Sequence, residues 1–118
     1  MTGEGNKTVL DDLLKDKTEA LNTLNIAVNE YTRLKNEYLV KSNELKIKPA
    51  MIQEELGLTR APTEKQTMAY IDDTFKGLVQ DLNIASENVS SWKREVDLIN
   101  DKISVEKLKF RIFLEMTR

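Results

Sequence analysis

From Ile71 to Phe113 apolar residues recur in alternating steps of four and three: Ile71, Phe75, Leu78, Leu82, Ala85, Val89, Trp92, Val96, Ile99, Ile103, Glu106, Phe110 and Phe113. Twelve of these thirteen positions are apolar and no proline interrupts them, so the stretch reads as one side of a long helix rather than a strand. A period of 3.5 residues held for this length is the pattern of a coiled-coil seam. Thr63-Glu64-Lys65-Gln66, directly after Pro62, has the form of a capping box and sets the expected start. A single helix from Thr63 to Met116 would be roughly 80 Å long, more than a small globule holds.

The first half of the chain carries a weaker version of the same pattern. Thr8-Val9-Leu10-Asp11 offers a helix start, and the seam is expected along Leu10, Leu14, Lys17, Leu21, Leu24, Val28, Tyr31, Lys35, Tyr38, Ser42 and Leu45. Lys17, Lys35 and Ser42 dilute it, although a lysine stem can lie along apolar surface. A second stripe, Leu13, Ala20, Ala27 and Leu34, runs beside the first. The apolar face is therefore wider than a two-stranded seam requires, which points to three or four helices in contact. Residues 1–7 are expected to be disordered.

Between the two runs, residues 48–62 form the break. Pro49 can open a short turn of helix but not continue the preceding one. Ala50 to Leu56 fits two helical turns, Gly57 a C-terminal cap, and Leu58 to Pro62 the loop. The expectation is an all-α, long antiparallel helical hairpin of coiled-coil type. Its helices span residues 8–47 and 63–116, joined by a connector with a short helix at 48–62. Aligning the seams about the connector places Tyr38 near Phe75, Leu21 near Trp92 and Leu10 near Ile103, to within one turn. Gly77 lies inside the second helix, where it marks either a close approach of another helix or a tolerated weak point.

That alignment leaves the second helix running past the start of the first. The overhang, Val105, Leu108, Phe110, Ile112, Phe113, Leu114 and Met116, is apolar nearly all round. Burying one such side chain is worth roughly 1.5–3 kcal/mol, so this end needs a cover. A second copy of the chain supplies one, completing the hairpin to a four-helix homodimer; a docked protein partner is the alternative.

Composition narrows the chemistry. The 118 residues include no Cys and no His, which removes thiol and imidazole nucleophiles, bases and metal ligands together. No catalytic residue, cofactor site or metal site is expected, and the chain is not expected to be an enzyme. Asp11-Asp12 and Asp72-Asp73 are the adjacent acid pairs. Neighbours on a helix diverge by about 100°, and both pairs are read as first-turn acids that complement the helix dipole. A net charge of −2 gives no strong pull towards nucleic acid or anionic lipid. No apolar run has the length of a membrane span, and the polar start has no signal-peptide character, so a cytoplasmic location is expected. Lys107, Lys109 and Arg111, beside Phe110 and Phe113, are candidates for nucleic-acid contact, and Arg60 in the connector for partner contact.

The segment Thr59-Arg60-Ala61-Pro62-Thr63-Glu64-Lys65-Gln66, followed by Ala69-Tyr70-Ile71 and by Leu98-Ile99-Asn100-Asp101 before an apolar end, resembles small uncharacterised helical proteins of bacteriophages and prophages. The resemblance covers roughly residues 55–115, and the first helix matches in character alone. It implies a phage or prophage setting, hence a host cytoplasm, near replication and recombination functions. The expected role is a non-catalytic oligomeric module that binds a replication, recombination or host-defence protein. Two alternatives stay open: a single-stranded-DNA-associated recombination accessory, and a virion assembly scaffold.

Overall fold

The computed structural model describes residues 3–117, with side chains from residue 8 onward. It is an all-α helical hairpin, with no strand among the described residues. Four helices follow in order: α1 (Gly3–Lys46), α2 (Pro49–Glu55), α3 (Glu64–Thr74) and α4 (Lys76–Met116). The chain divides into two compact units. One combines residues 1–28 with 87–118, and the other is residues 29–86.

In the first unit α1 packs against α4 through Ala20, Val96, Ile99 and Ile103, with Leu10, Leu13, Leu24 and Trp92 closing around them. The α4 side is the seam the four-three count defines: in this unit, from Val89 to Phe113, every one of its positions is buried or half-buried, and the same holds from Ile71 to Ala85 in the second unit. The α1 side differs. Its enclosed line is Leu10, Leu13, Lys17, Ala20, Leu24 and Ala27, whereas Leu14, Leu21 and Val28, expected on the seam, are exposed. Size explains the change of phase. The α4 seam presents Trp92, Ile99 and Ile103, and the small Ala20 packed among them lets the helices close without overpacking. A reading weighted by hydrophobicity favours the leucines instead.

α1 begins at Gly3, five residues before the expected start, so Thr8 lies inside the helix and does not begin it. The backbone of residues 3–7, expected to be disordered, is helical; residues 1 and 2 lie outside the described residues. No proline stops the helix from extending back through this stretch. Asp11 and Asp12 thereby fall beyond the first turn, and their dipole role does not hold.

In the second unit the connector is fixed by local hydrogen bonds. Pro49 occupies the first turn of α2. At its end the Gly57 N–H donates to the Glu54 carbonyl (3.1 Å) and the Leu58 N–H to the Gln53 carbonyl (2.9 Å), a Schellman pair. Gly57 takes φ +64°, the left-handed region that a Cβ disfavours. The Thr63 Oγ1 accepts from the Gln66 N–H (3.2 Å), while the Thr63 N–H donates to Gln66 Oε1 (2.9 Å), closing the capping box at the start of α3. α2 packs on α3, with Ile52 and Ile71 fully enclosed.

The second helix is not continuous from residue 63 to 116, as its periodicity implies. It breaks at Phe75, whose φ −108° and ψ 35° leave helical geometry. The preceding Asp72-Asp73-Thr74 and the following Gly77 are weak helix formers. The Thr74 hydroxyl also donates back to the Tyr70 carbonyl (2.7 Å), a bond that bends helices. Hydrogen bonds run through the break: Phe75 N–H to the Ile71 carbonyl and Val79 N–H to the Phe75 carbonyl. A Cβ placed on Gly77 would meet nothing within 4 Å, so this glycine does not mark a close helix approach.

Candidate interaction surface

Near its C-terminal end α4 separates into an inner and an outer side. Glu106, Phe110 and Phe113 continue the seam and are half-buried. The outer residues remain in solvent: Val105 51%, Leu108 53%, Ile112 47%, Leu114 46% and Met116 80% exposed. Val105 and Ile112 are seven residues apart, in line with Leu98, also exposed. Phe110 and Phe113 are thus less exposed than the outer residues, and the most exposed apolar surface is aliphatic.

The basic residues of this end do not converge. Lys109 Nζ lies 3.2 Å from Glu106 Oε1, the carboxylate that interrupts the apolar seam. Lys107 and Arg111, four residues apart and exposed, share one side of the helix, which Lys109 does not. Arg60 is exposed in the connector and, with Leu58, Thr59, Ala61, Thr63 and Gln66, lines a shallow depression of about 260 Å³.

One long-range polar contact stands out in the second unit. The Tyr38 hydroxyl of α1 donates to Asp72 Oδ1 of α3 (2.6 Å), and this hydrogen bond, aided by burial, pushes the phenol pKa up to about 12. Asp72 lies near the C-terminal end of α3, so the dipole role expected of it fails and a tether between helices replaces it. Beside it the Lys41 ammonium sits 5.6 Å from the centroid of the Phe75 ring and 3.2 Å from Glu37. Both Tyr38–Asp72 and Lys41–Phe75 lie within one turn of the expected pairing of Tyr38 with Phe75. On α1 the Arg33 guanidinium holds the Glu30 carboxyl below the usual carboxylate range by donating to it, and its own pKa rises in return.

In the first unit an open groove of about 280 Å³ runs between α1 and α4. Leu13, Ala20, Ile99 and Trp92 are among its lining, with Asp16, Glu19, Glu95 and Lys102 among its polar groups. Among the described residues no three His, Cys, Asp or Glu side chains gather as a metal site, and no helix is long and apolar enough to cross a membrane. No protein-family model, curated protein or solved structure matches the chain.

Proposed function

We propose that the protein is a non-catalytic, oligomeric helical module that acts by binding another protein. The observation that carries this reading is the row of large aliphatic side chains, Val105, Leu108, Ile112 and Met116, left exposed along one side of the end of α4, with Leu114 exposed on the opposite flank. Aliphatic patches of this kind on a helix are what protein partners cover. In the phage or prophage setting that the sequence resembles, the partner is a replication, recombination or host-defence protein. The single-stranded-DNA alternative draws less support, because Lys109 is engaged by Glu106 and projects away from Lys107 and Arg111.

The test is affinity capture from host cells with the wild-type chain and with a Leu108→Ser, Ile112→Ser, Leu114→Ser variant, sequencing any nucleic acid retained. A protein held by the wild type and lost from the variant is the expected result. Salt-sensitive retention of single-stranded DNA with no specific protein would contradict the reading and favour the accessory. Recovery of the chain in purified virions would favour the scaffold.

A further inference from the structure

The groove between α1 and α4 in the first unit, about 280 Å³, has an apolar floor that includes Trp92 and Ile99 and an exposed rim of Asp16, Glu19, Glu95 and Lys102. Its lining runs from Leu13 to Thr23 on α1 and from Trp92 to Lys102 on α4, roughly 15 Å of each helix. A furrow of that length between two helices is the slot that a third helix fills in a bundle.

Three observations define what fits it. First, the rim holds the charge imbalance of the chain. Of 20 acids and 18 bases, three acids and one base line the groove, so the remaining residues balance and the net charge of −2 resides here. Second, the groove carboxylates are unpaired. The ion pairs among the described residues join Glu30 and Glu37 to Arg33, Glu37 to Lys41 and Glu106 to Lys109, and none reaches Asp16, Glu19 or Glu95. Third, the groove continues into the exposed aliphatic row of α4. Leu98 stands three residues after Glu95 and four before Lys102, and Val105 three after Lys102, spacings that make them neighbours on one side of the helix. Cationic groups answer the first two observations, and an apolar side answers the floor and the row. Trp92 adds an aromatic surface favourable to a guanidinium or ammonium, and the same negative rim repels a phosphate backbone.

We infer that the groove takes a basic amphipathic helix of the partner protein, with arginines or lysines on Asp16, Glu19 and Glu95 and an apolar side on Trp92, Ile99 and the Leu98–Val105 row. This inference rests on the protein-binding reading above and names the partner's chemistry. Trp92 is the single tryptophan of the chain, so its fluorescence reports on the groove directly. The probe is a synthetic peptide of about four helical turns, with leucine at every third or fourth position and arginine between; its control carries glutamate in place of arginine. With the full-length chain, the basic peptide is expected to shift the Trp92 emission saturably, and less so as salt rises, while the acidic one does not. Asp16→Asn, Glu19→Gln and Glu95→Gln together are expected to weaken the basic peptide about tenfold. Asp11→Asn, Asp101→Asn and Glu115→Gln remove the same charge outside the groove and are expected to weaken it by less than about twofold. Circular dichroism is expected to show both variants as helical as the wild type. Equal weakening by the two variants, or an unresponsive Trp92, would overturn the inference. So would light scattering in which the groove substitutions dissociate a wild-type dimer, since a second copy would then be the occupant. In the capture experiment, a protein lost from the α4 variant and kept by the groove variant would overturn the inference and leave the function proposed above standing. A peptide held in the groove, with no protein depending on the α4 end, would uphold the groove and overturn the aliphatic surface.

Discussion

The bond from Tyr38 to Asp72 joins two helices through a single pair of side chains, and its loss has a calculable sign. Tyr38→Phe removes the donor and is expected to lower unfolding stability by about 1 kcal/mol at neutral pH, measured by urea denaturation. The phenol pKa is raised in the folded chain to about 12 from an ordinary 10. The stability it contributes is therefore complete below pH 10 and is lost as pH rises through 10 to 12. The phenylalanine variant should lack that loss. Two glycines give opposite expectations. Gly57→Ala forces a Cβ into the left-handed region and should destabilise by about 1 kcal/mol. Gly77→Ala adds a Cβ in open space and should stabilise by about 0.5–1 kcal/mol. At this scale the sequence is legible where the partners are close along the chain. The Thr63–Gln66 box and the Gly57 cap follow from spacing, whereas Tyr38 and Asp72, 34 residues apart, carry no local signal.

Between elements, the packing of α1 on α4 centres on Ala20 rather than on Leu21 beside it. Ala20→Leu is expected to destabilise by about 1–3 kcal/mol, because the added methylenes meet Val96, Ile99 and Ile103; thermal unfolding followed by circular dichroism checks this. The α4 seam was readable because large apolar residues and the four-three count coincide there. On α1 two apolar stripes stand one residue apart, and the hydrophobic pattern alone does not choose between them. The choice is made by the bulk of Trp92 and the isoleucines on the opposing helix. The break at Phe75 was hidden for a related reason: the seam passes through it unchanged, and the cause lies in poor helix formers off the seam. The early start of α1 has the same character, since Gly3 to Lys7 contribute no apolar period although nothing in them ends a helix.

For the whole molecule, the buried set is what motivates the proposed oligomer. Among the described residues of the first unit the buried ones are Ala20, Ala27, Val96, Ile99 and Ile103, two of them alanines, and Leu14, Leu21 and Val28 stay about two-fifths exposed. Apolar area left exposed on this scale forfeits stability that association restores. The apolar character of the α4 end was legible from its sequence, but the lower exposure of Phe110 and Phe113 relative to the aliphatic residues was not, because an all-apolar helix end gives no phase of its own. The central claim, that the chain is complete only as an oligomer, is tested most directly by sedimentation equilibrium of the full-length wild type from low to tens of micromolar. The account predicts a particle of twice 13.6 kDa that persists on dilution; a particle of 13.6 kDa at every concentration would contradict it.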